Sequence, residues 1–498
     1  MKRAASLLLI AALPGLLGAC SLQPKYMRPA PAVPTGWRIA DPALLASETD
    51  LAALGFRAIF HDIRLQALIE RGLEHSQDLK AAVANVAAAR GLYRVQRAAL
   101  LPAINGSAAA TVNDGGKGNV GGGNVGSGNV GSGNGGNGTA GGGLRENYSV
   151  NIGASAFELD LFGRLRSLSD AQLNAYFATE QAARATRLTL AADIADVYFT
   201  LAADRSLLAI ARQTAVSAQR SVALTSARLA GGVAPRTDLR QAETIQATAR
   251  SDLANLTTIV EQDRNALELL IGGPVNDADL PDAIESVDGQ VGPVPVGLAS
   301  SILLRRPDVM EAEYQLRAAN ARIGAARAAF FPRISLTGAG GLASSALSGL
   351  FTGGAFAYNA GASASLPIFA GGANSGNLAA ARAQTEAATA TYQRAIQLAF
   401  RDVSDALARR ATIADQIAAQ SALEAAARDT AFLTTERYRG GVASFLESLD
   451  AQRALYAAQR SLISARLLRA SNLVALYRAL GGDDFSGVPA PGNAVQSR

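Results

Sequence analysis

Two periodicities of apolar and polar positions divide this chain. Val150, Ile152, Ala154 and Ala156 alternate with Asn151, Gly153 and Ser155, and Tyr358, Ala360, Ala362 and Ala364 alternate with Asn359, Gly361, Ser363 and Ser365. Ile334 and Leu336 likewise sit among Arg333, Ser335 and Thr337. A period of two is that of a strand with one apolar face. Elsewhere the period is helical: Ile194, Val197, Tyr198 and Leu201 form one stripe, and Tyr392, Ile396, Val403 and Leu407 another. These stripes lie in Gly163–Ala230 and Gly371–Arg439, proline-free stretches of 68 and 69 residues. At 1.5 Å per residue each would run roughly 100 Å, the length of a coiled coil rather than of a globular-core helix.

The elements recur. Asp78 to Pro102 matches Asp308 to Pro332 at an offset of 230 residues, each an Ala- and Arg-rich helix ending in a hydrophobic-Pro stop. Arg228-Leu229-Ala230-Gly231-Gly232-Val233-Ala234 matches Arg437-Tyr438-Arg439-Gly440-Gly441-Val442-Ala443 at an offset of 209, as Gly272-Gly273 matches Gly481-Gly482. Each repeat reads helix, strand, loop, strand, long helix, tight turn, helix. Strands are expected at about 102–112 and 147–162, then 332–341 and 356–369. Each pair of shorter helices nearly matches one long helix in length, which fits a uniform helical wall. The first repeat holds extra residues in a Gly/Asn-rich loop, 113–144, where Asn119, Asn124, Asn129 and Asn134 recur every five positions. That composition buries too little surface to offset its ordering entropy, so a surface loop is expected.

The N-terminus reads as an export signal, residues 1–19, with Lys2 and Arg3 before an apolar run too short to span a bilayer. Leu17-Gly18-Ala19-Cys20 resembles a bacterial lipobox, so the chain's only cysteine is the expected acylation site. Ser21 stands where aspartate would signal inner-membrane retention, making the outer membrane the expected destination. No later segment reads as a transmembrane helix, and only helices and closed barrels satisfy the backbone in lipid. The alternating strands suit a barrel wall, although a half-buried sheet of a soluble protein has the same pattern. Four strands cannot close a useful bore, so several chains would share one barrel.

Of 498 residues, 49% are hydrophobic and 17% charged, with 46 basic against 41 acidic side chains, too even to suggest nucleic-acid binding. One cysteine and two histidines, His61 and His75, leave little material for a disulfide framework, metal centre or catalytic triad. No phosphate loop, zinc-protease helix or nucleophile elbow occurs, so no enzyme and no cofactor is expected.

At this point the chain resembles the TolC/OprM-type outer-membrane factors, in the NodT-like lipoprotein branch associated with pumps of the resistance-nodulation-division type. The resemblance is carried by Cys20 with Pro24-Lys25-Tyr26, Trp37, Phe60-His61-Asp62, Glu158 to Gly163, Asp238 to Glu243, Arg306-Pro307-Asp308, Pro367 to Gly372 and Leu449 to Arg453. It covers nearly all of residues 17–482, in the family's order.

What the resemblance implies is a mixed all-α plus β-barrel membrane protein: a homotrimeric 12-stranded outer-membrane β-barrel continued by a long periplasmic α-helical barrel, with two internal repeats per chain. The implied divisions are a lipidated extended segment 20–61, a first repeat 62–273, an equatorial linker 274–300, a second repeat 301–482 and a tail 483–498. The implied function is a passive exit channel of a tripartite efflux system for drugs, detergents or metal ions. Its partners would be its own copies, outer-membrane lipid, a periplasmic adaptor and the inner-membrane pump. A type I protein-secretion duct and a non-pore coiled-coil scaffold are the alternatives. The family match makes Tyr438, Leu446, Asp450 and Arg453 candidate gate residues, with Arg453 or Arg240 as countercharge for Asp450. It makes Gly231, Gly232, Asp238, Arg240, Gly440 and Gly441 candidates for adaptor docking. Each has a plainer reading as well: helix caps for the glycines, a helix-dipole charge for Asp238, a solvated i, i+3 pair for Asp450 and Arg453.

Overall fold

A computed structural model describes residues 21–34, 55–114, 144–291 and 300–481. Cys20, Trp37, Gly482 and most of the Gly/Asn-rich insertion lie outside the described residues. In chain order the main elements are α1 (Ile63–His75), α2 (Gln77–Ala98), β1 (Ile104–Asp114), β2 (Leu144–Leu159), α3 (Arg164–Ala230), α4 (Arg236–Ile271), α5 (Pro307–Ala328), β3 (Arg333–Ser344), β4 (Phe356–Ser365), α6 (Ala373–Arg439) and α7 (Phe445–Ala479). Two compact units divide the chain: residues 1–28, 88–176 and 315–388 form the first, and 29–87, 177–314 and 389–498 the second.

The first unit holds a four-stranded antiparallel sheet in the order β1-β2-β3-β4. Its central pairing, Val150 opposite Leu342 and Ile152 opposite Gly340, joins the two repeats. Between Ala154 and Phe157 the register shifts by a β-bulge. Ala156 sits there at φ 54°, its N–H donating to Thr337 Oγ1 at 3.2 Å. This corrects the simple alternation. Ala156 leaves the apolar face, and Phe157 opposite Leu336 and Leu159 opposite Ile334 take it over. The extra residue thus keeps the bulky side chains on one face while bending the strand.

In the second unit, α1 packs its apolar stripe against α3. Phe60, Leu65, Leu68 and Ile69 are buried with Ile194, Tyr198 and Leu201. A Cβ on Gly72 would meet the tip of the Ile194 side chain, so α1 and α3 come close at this point. Asp62 caps α1 by accepting from Arg64 N at 2.9 Å, and it accepts from Tyr198 Oη at 2.8 Å. Burial alone would push this carboxyl up, but the hydrogen bonds from Arg64 and Tyr198 outweigh it and hold it below the usual carboxylate range.

The two long helices have 67 residues each, and the shorter ones 22 and 36 in the first repeat, 22 and 35 in the second. The short pairs therefore fall short of the long helices instead of matching them. Pro102 and Pro332 disfavour helical backbone before them, so the chain leaves the helix at Ala98 and Ala328 through single turns. The glycine turns take further residues at the other end.

Candidate functional site

Cross-strand partners share a face, so the registers sort the sheet into two surfaces. One carries Ile104, Val150, Ile152, Phe157, Leu336, Leu342, Phe356 and Tyr358. The other carries Asn105, Ser107, Asn151, Ser335, Thr337, Asn359 and Ser363. The apolar surface is uncovered: Ile152 is 64% and Tyr358 79% exposed. Ten residues of β4, tilted about 45°, rise roughly 20 Å, close to the apolar band of a barrel wall. The opposite face offers amides, hydroxyls and glycine along its middle and the charged residues Arg145, Glu158 and Arg333 toward its ends, a composition suited to contact with water. Among the described residues, both outer strands, β1 and β4, have one unpaired edge. No helix among the described residues is long and apolar enough to cross a membrane.

The second cluster of interest lies at the glycine turns, in the second unit. Gly231 N donates to Ala227 O, Gly232 N to Leu229 O and Val233 N to Arg228 O; Gly440, Gly441 and Val442 repeat the pattern on Glu436, Tyr438 and Arg437. Gly232 at φ 73° and Gly441 at φ 77° hold the left-handed position that closes each helix. Tyr438 is buried with Phe445, Leu449 and Ala242, and Val222 and Ile245 pack against them. The Arg228 guanidinium lies 4.7 Å from the Tyr438 ring centroid, and its Nη1 donates to Tyr438 O at 2.9 Å. The first hairpin thereby grips the second. Arg228 heads the repeated turn motif, yet its grip on a ring 210 positions away was not visible in the sequence.

The other candidates are distributed around this cluster. Leu446 is 53% exposed on α7, and Asp450 and Arg453 are exposed on the same helix. Asp238 stands in the first turn of α4. Arg240 pairs with Glu243 at 2.6 Å instead of with Asp450. Neither countercharge forms an ion pair with Asp450: Arg240 has a partner one turn away on its own helix, and Arg453 has no ion pair among the described residues. Asp450 has no ion pair among the described residues. His61 Nε2 lies 3.2 Å from Ala58 O and His75 Nδ1 3.0 Å from Arg71 O, both local helix contacts.

The family model for outer membrane efflux proteins matches residues 68–273 and 298–482. The chain belongs to that family. Among its relatives, the probable efflux pump outer membrane protein TtgC of Pseudomonas putida is 40% identical over 96% of this chain and 95% of its own. The outer membrane protein OprJ of Pseudomonas aeruginosa is 38% identical, over 94% and 93%. The solved open state of the MtrE outer membrane channel of Neisseria gonorrhoeae superposes with a TM-score of 0.79 at 35% identity, covering 93% of this chain and 98% of that one. The chain is thus an outer-membrane efflux channel, and its sheet is the membrane-spanning part.

In this efflux protein the segment that follows the cysteine is seated within the first unit. Asn320 Nδ2 donates to Pro24 O at 2.9 Å, Arg327 Nη1 donates to Leu22 O at 3.2 Å, and the Arg317 guanidinium lies 5.0 Å from the Tyr26 ring centroid. Gly324 makes the seat possible: a Cβ there would stand 2.8 Å from Gln23 Cα and 2.6 Å from Ser167 Oγ.

Proposed function

We propose that three copies of this chain form the exit duct of a tripartite efflux system, each copy giving four strands to one barrel. The observation that carries this reading is the open sheet. One face is apolar and exposed, the other is polar, and two edges lack partners among the described residues. Unpaired edges are costly in lipid, and closure among copies removes them. Residues 62–273 and 301–482 act as the two repeats, with 20–61 as the anchoring segment, 274–300 as the equatorial linker and 483–498 as a tail. Cys20 carries the acyl chains.

The duct is passive. An inner-membrane pump supplies the energy, and a periplasmic adaptor docks at the turns around Gly231, Gly232, Gly440 and Gly441, with Asp238 and Arg240 beside them. Around the closed end, Leu446 forms an apolar constriction and Asp450 a ring of like charges, with Tyr438 and Arg453 setting their position. Several relatives are named for efflux of toluene, solvents or antibiotics, which supports small apolar and amphiphilic molecules as cargo.

Light scattering on the detergent-solubilised protein tests assembly, and planar bilayers test the pore. A mass of three chains and discrete channels are expected, with higher resting conductance in Leu446→Ala or Asp450→Ala. A folded monomer without channel activity refutes the shared barrel. A trimer whose conductance neither substitution changes removes the two residues from the gate.

A further inference from the structure

A cavity of about 210 Å³ lies in the second unit among α3, α4 and α7. It is open to solvent on one side and has room for several water molecules. It forms because the facing positions are short: Ser217 and Ala218 on α3, Thr248 and Ala249 on α4. Ile245, Leu449 and Leu455 supply apolar lining. Asp252 and Tyr456 supply the chemistry, the Tyr456 hydroxyl donating to Asp252 Oδ2 at 3.2 Å. Burial, followed by the nearby Asp252 charge, pushes that hydroxyl up, so it remains a donor. No arginine or lysine forms an ion pair with Asp252 among the described residues.

The other charges near the cavity are Glu424, which accepts from the lining Gln459 at 3.4 Å and is paired with Arg428, and two arginines. Arg453 lines it, exposed and without an ion-pair partner among the described residues. The Arg460 guanidinium lies 5.6 Å from the Tyr456 ring centroid, so a cation already stands over that ring. A carboxylate without an ion-pair partner beside apolar lining supplies the groups that recognise an organic ammonium. We propose that this cavity binds a small organic cation, its ammonium on Asp252 and its hydrocarbon body on Ile245 and Leu449. The ammonium displaces the Tyr456 hydroxyl from the carboxylate, while Arg453 opposes binding through its charge. Since α3 and α4 come from the first hairpin and α7 from the second, an occupant touches both, and its affinity depends on their spacing. Binding itself does not require the chain to conduct, so the site and the channel reading fail separately.

The test is calorimetric titration of the full-length solubilised protein with benzyltrimethylammonium. Saturable binding of one cation per chain is expected. Asp252→Asn weakens it at least tenfold, whereas Tyr456→Phe and Arg453→Gln each tighten it severalfold. Variants are compared at unchanged helical circular dichroism and unchanged assembly mass. Wild-type affinity in Asp252→Asn, or weaker binding in Arg453→Gln, overturns the proposal.

Discussion

Replacing Tyr438 by alanine should loosen the contact between the two glycine turns. Its ring is 5% exposed and touches Phe445, with centroids 5.4 Å apart, as well as the Arg228 guanidinium. Truncating a buried aromatic to alanine costs about 3–5 kcal/mol, and a ring–guanidinium contact is worth about 0.5–1 kcal/mol more. The neighbours Val442 and Leu446 are exposed, so the cluster can partly collapse and the lower end of that range applies. A loss of about 3 kcal/mol in local opening free energy corresponds to roughly hundredfold faster amide exchange around the turns. Hydrogen exchange read by mass spectrometry on peptides covering 222–249 and 430–453 measures it. Tyr438→Phe should behave in the opposite way, because the buried hydroxyl has no hydrogen-bond partner among the described residues. Removing an unpaired buried hydroxyl costs nothing and can stabilise by about 1 kcal/mol. Wild-type exchange in Tyr438→Ala would refute the cluster's holding role. Tenfold faster exchange in Tyr438→Phe would show that the hydroxyl bonds to a neighbouring copy.

Three further outcomes are expected. Burial, followed by hydrogen bonding and charge from Asp204, pushes the Asp263 carboxyl up to about 7, so the folded protein holds a proton that the unfolded chain releases near 4. Stability from this group is therefore present in acid and lost as pH rises through 7; Asp263→Asn should flatten melting temperature between pH 5 and 8 and raise it at pH 8, and a variant that melts no higher there contradicts this. Gly324→Leu should unseat Leu22–Tyr26 and speed limited proteolysis of that segment, while Gly91→Ala, which meets only open space in a helix, should leave it unchanged. Tyr198→Phe takes one hydrogen bond from buried Asp62 and should lower stability by about 1–3 kcal/mol in denaturant titration, with no change read as a sign that water replaces the hydroxyl.

The repeat, the strands and the long helices were legible because each rests on local regularity: alternation, helical stripes and glycine or proline stops. The bulge was not, since Ala154-Ser155-Ala156 keeps a nominal alternation. The signal was the spacing of three between Ala154 and Phe157, which only the partner strand interprets. Arg240 was read as a cross-hairpin countercharge, but its nearer partner Glu243 wins because the helix itself brings them together. The Asp204–Asp263 and Asp252–Tyr456 contacts depend on the rotational register between helices, which composition along one helix does not encode.

The two hairpins share a turn motif and a backbone geometry, yet they are not interchangeable. At the position that follows the motif's arginine, the first repeat has Leu229 and the second Tyr438. Ser444 caps α7 by accepting from Glu447 N at 3.2 Å, whereas α4 begins after Pro235 without a side-chain cap. The arginines diverge in use as well. Arg437 pairs with Glu447 just past its own turn at 3.2 Å, while Arg228 reaches across to the other hairpin. A ring on one hairpin and a guanidinium on the other make the pairing of unlike hairpins more favourable than that of like ones, since two copies of the first lack the ring and Arg437 is held by Glu447 in the second. An internally repeated chain that lines a closed ring needs such a distinction to keep its hairpins in alternating order. At the turns, an aromatic side chain present in only one of the two repeats can enforce that order.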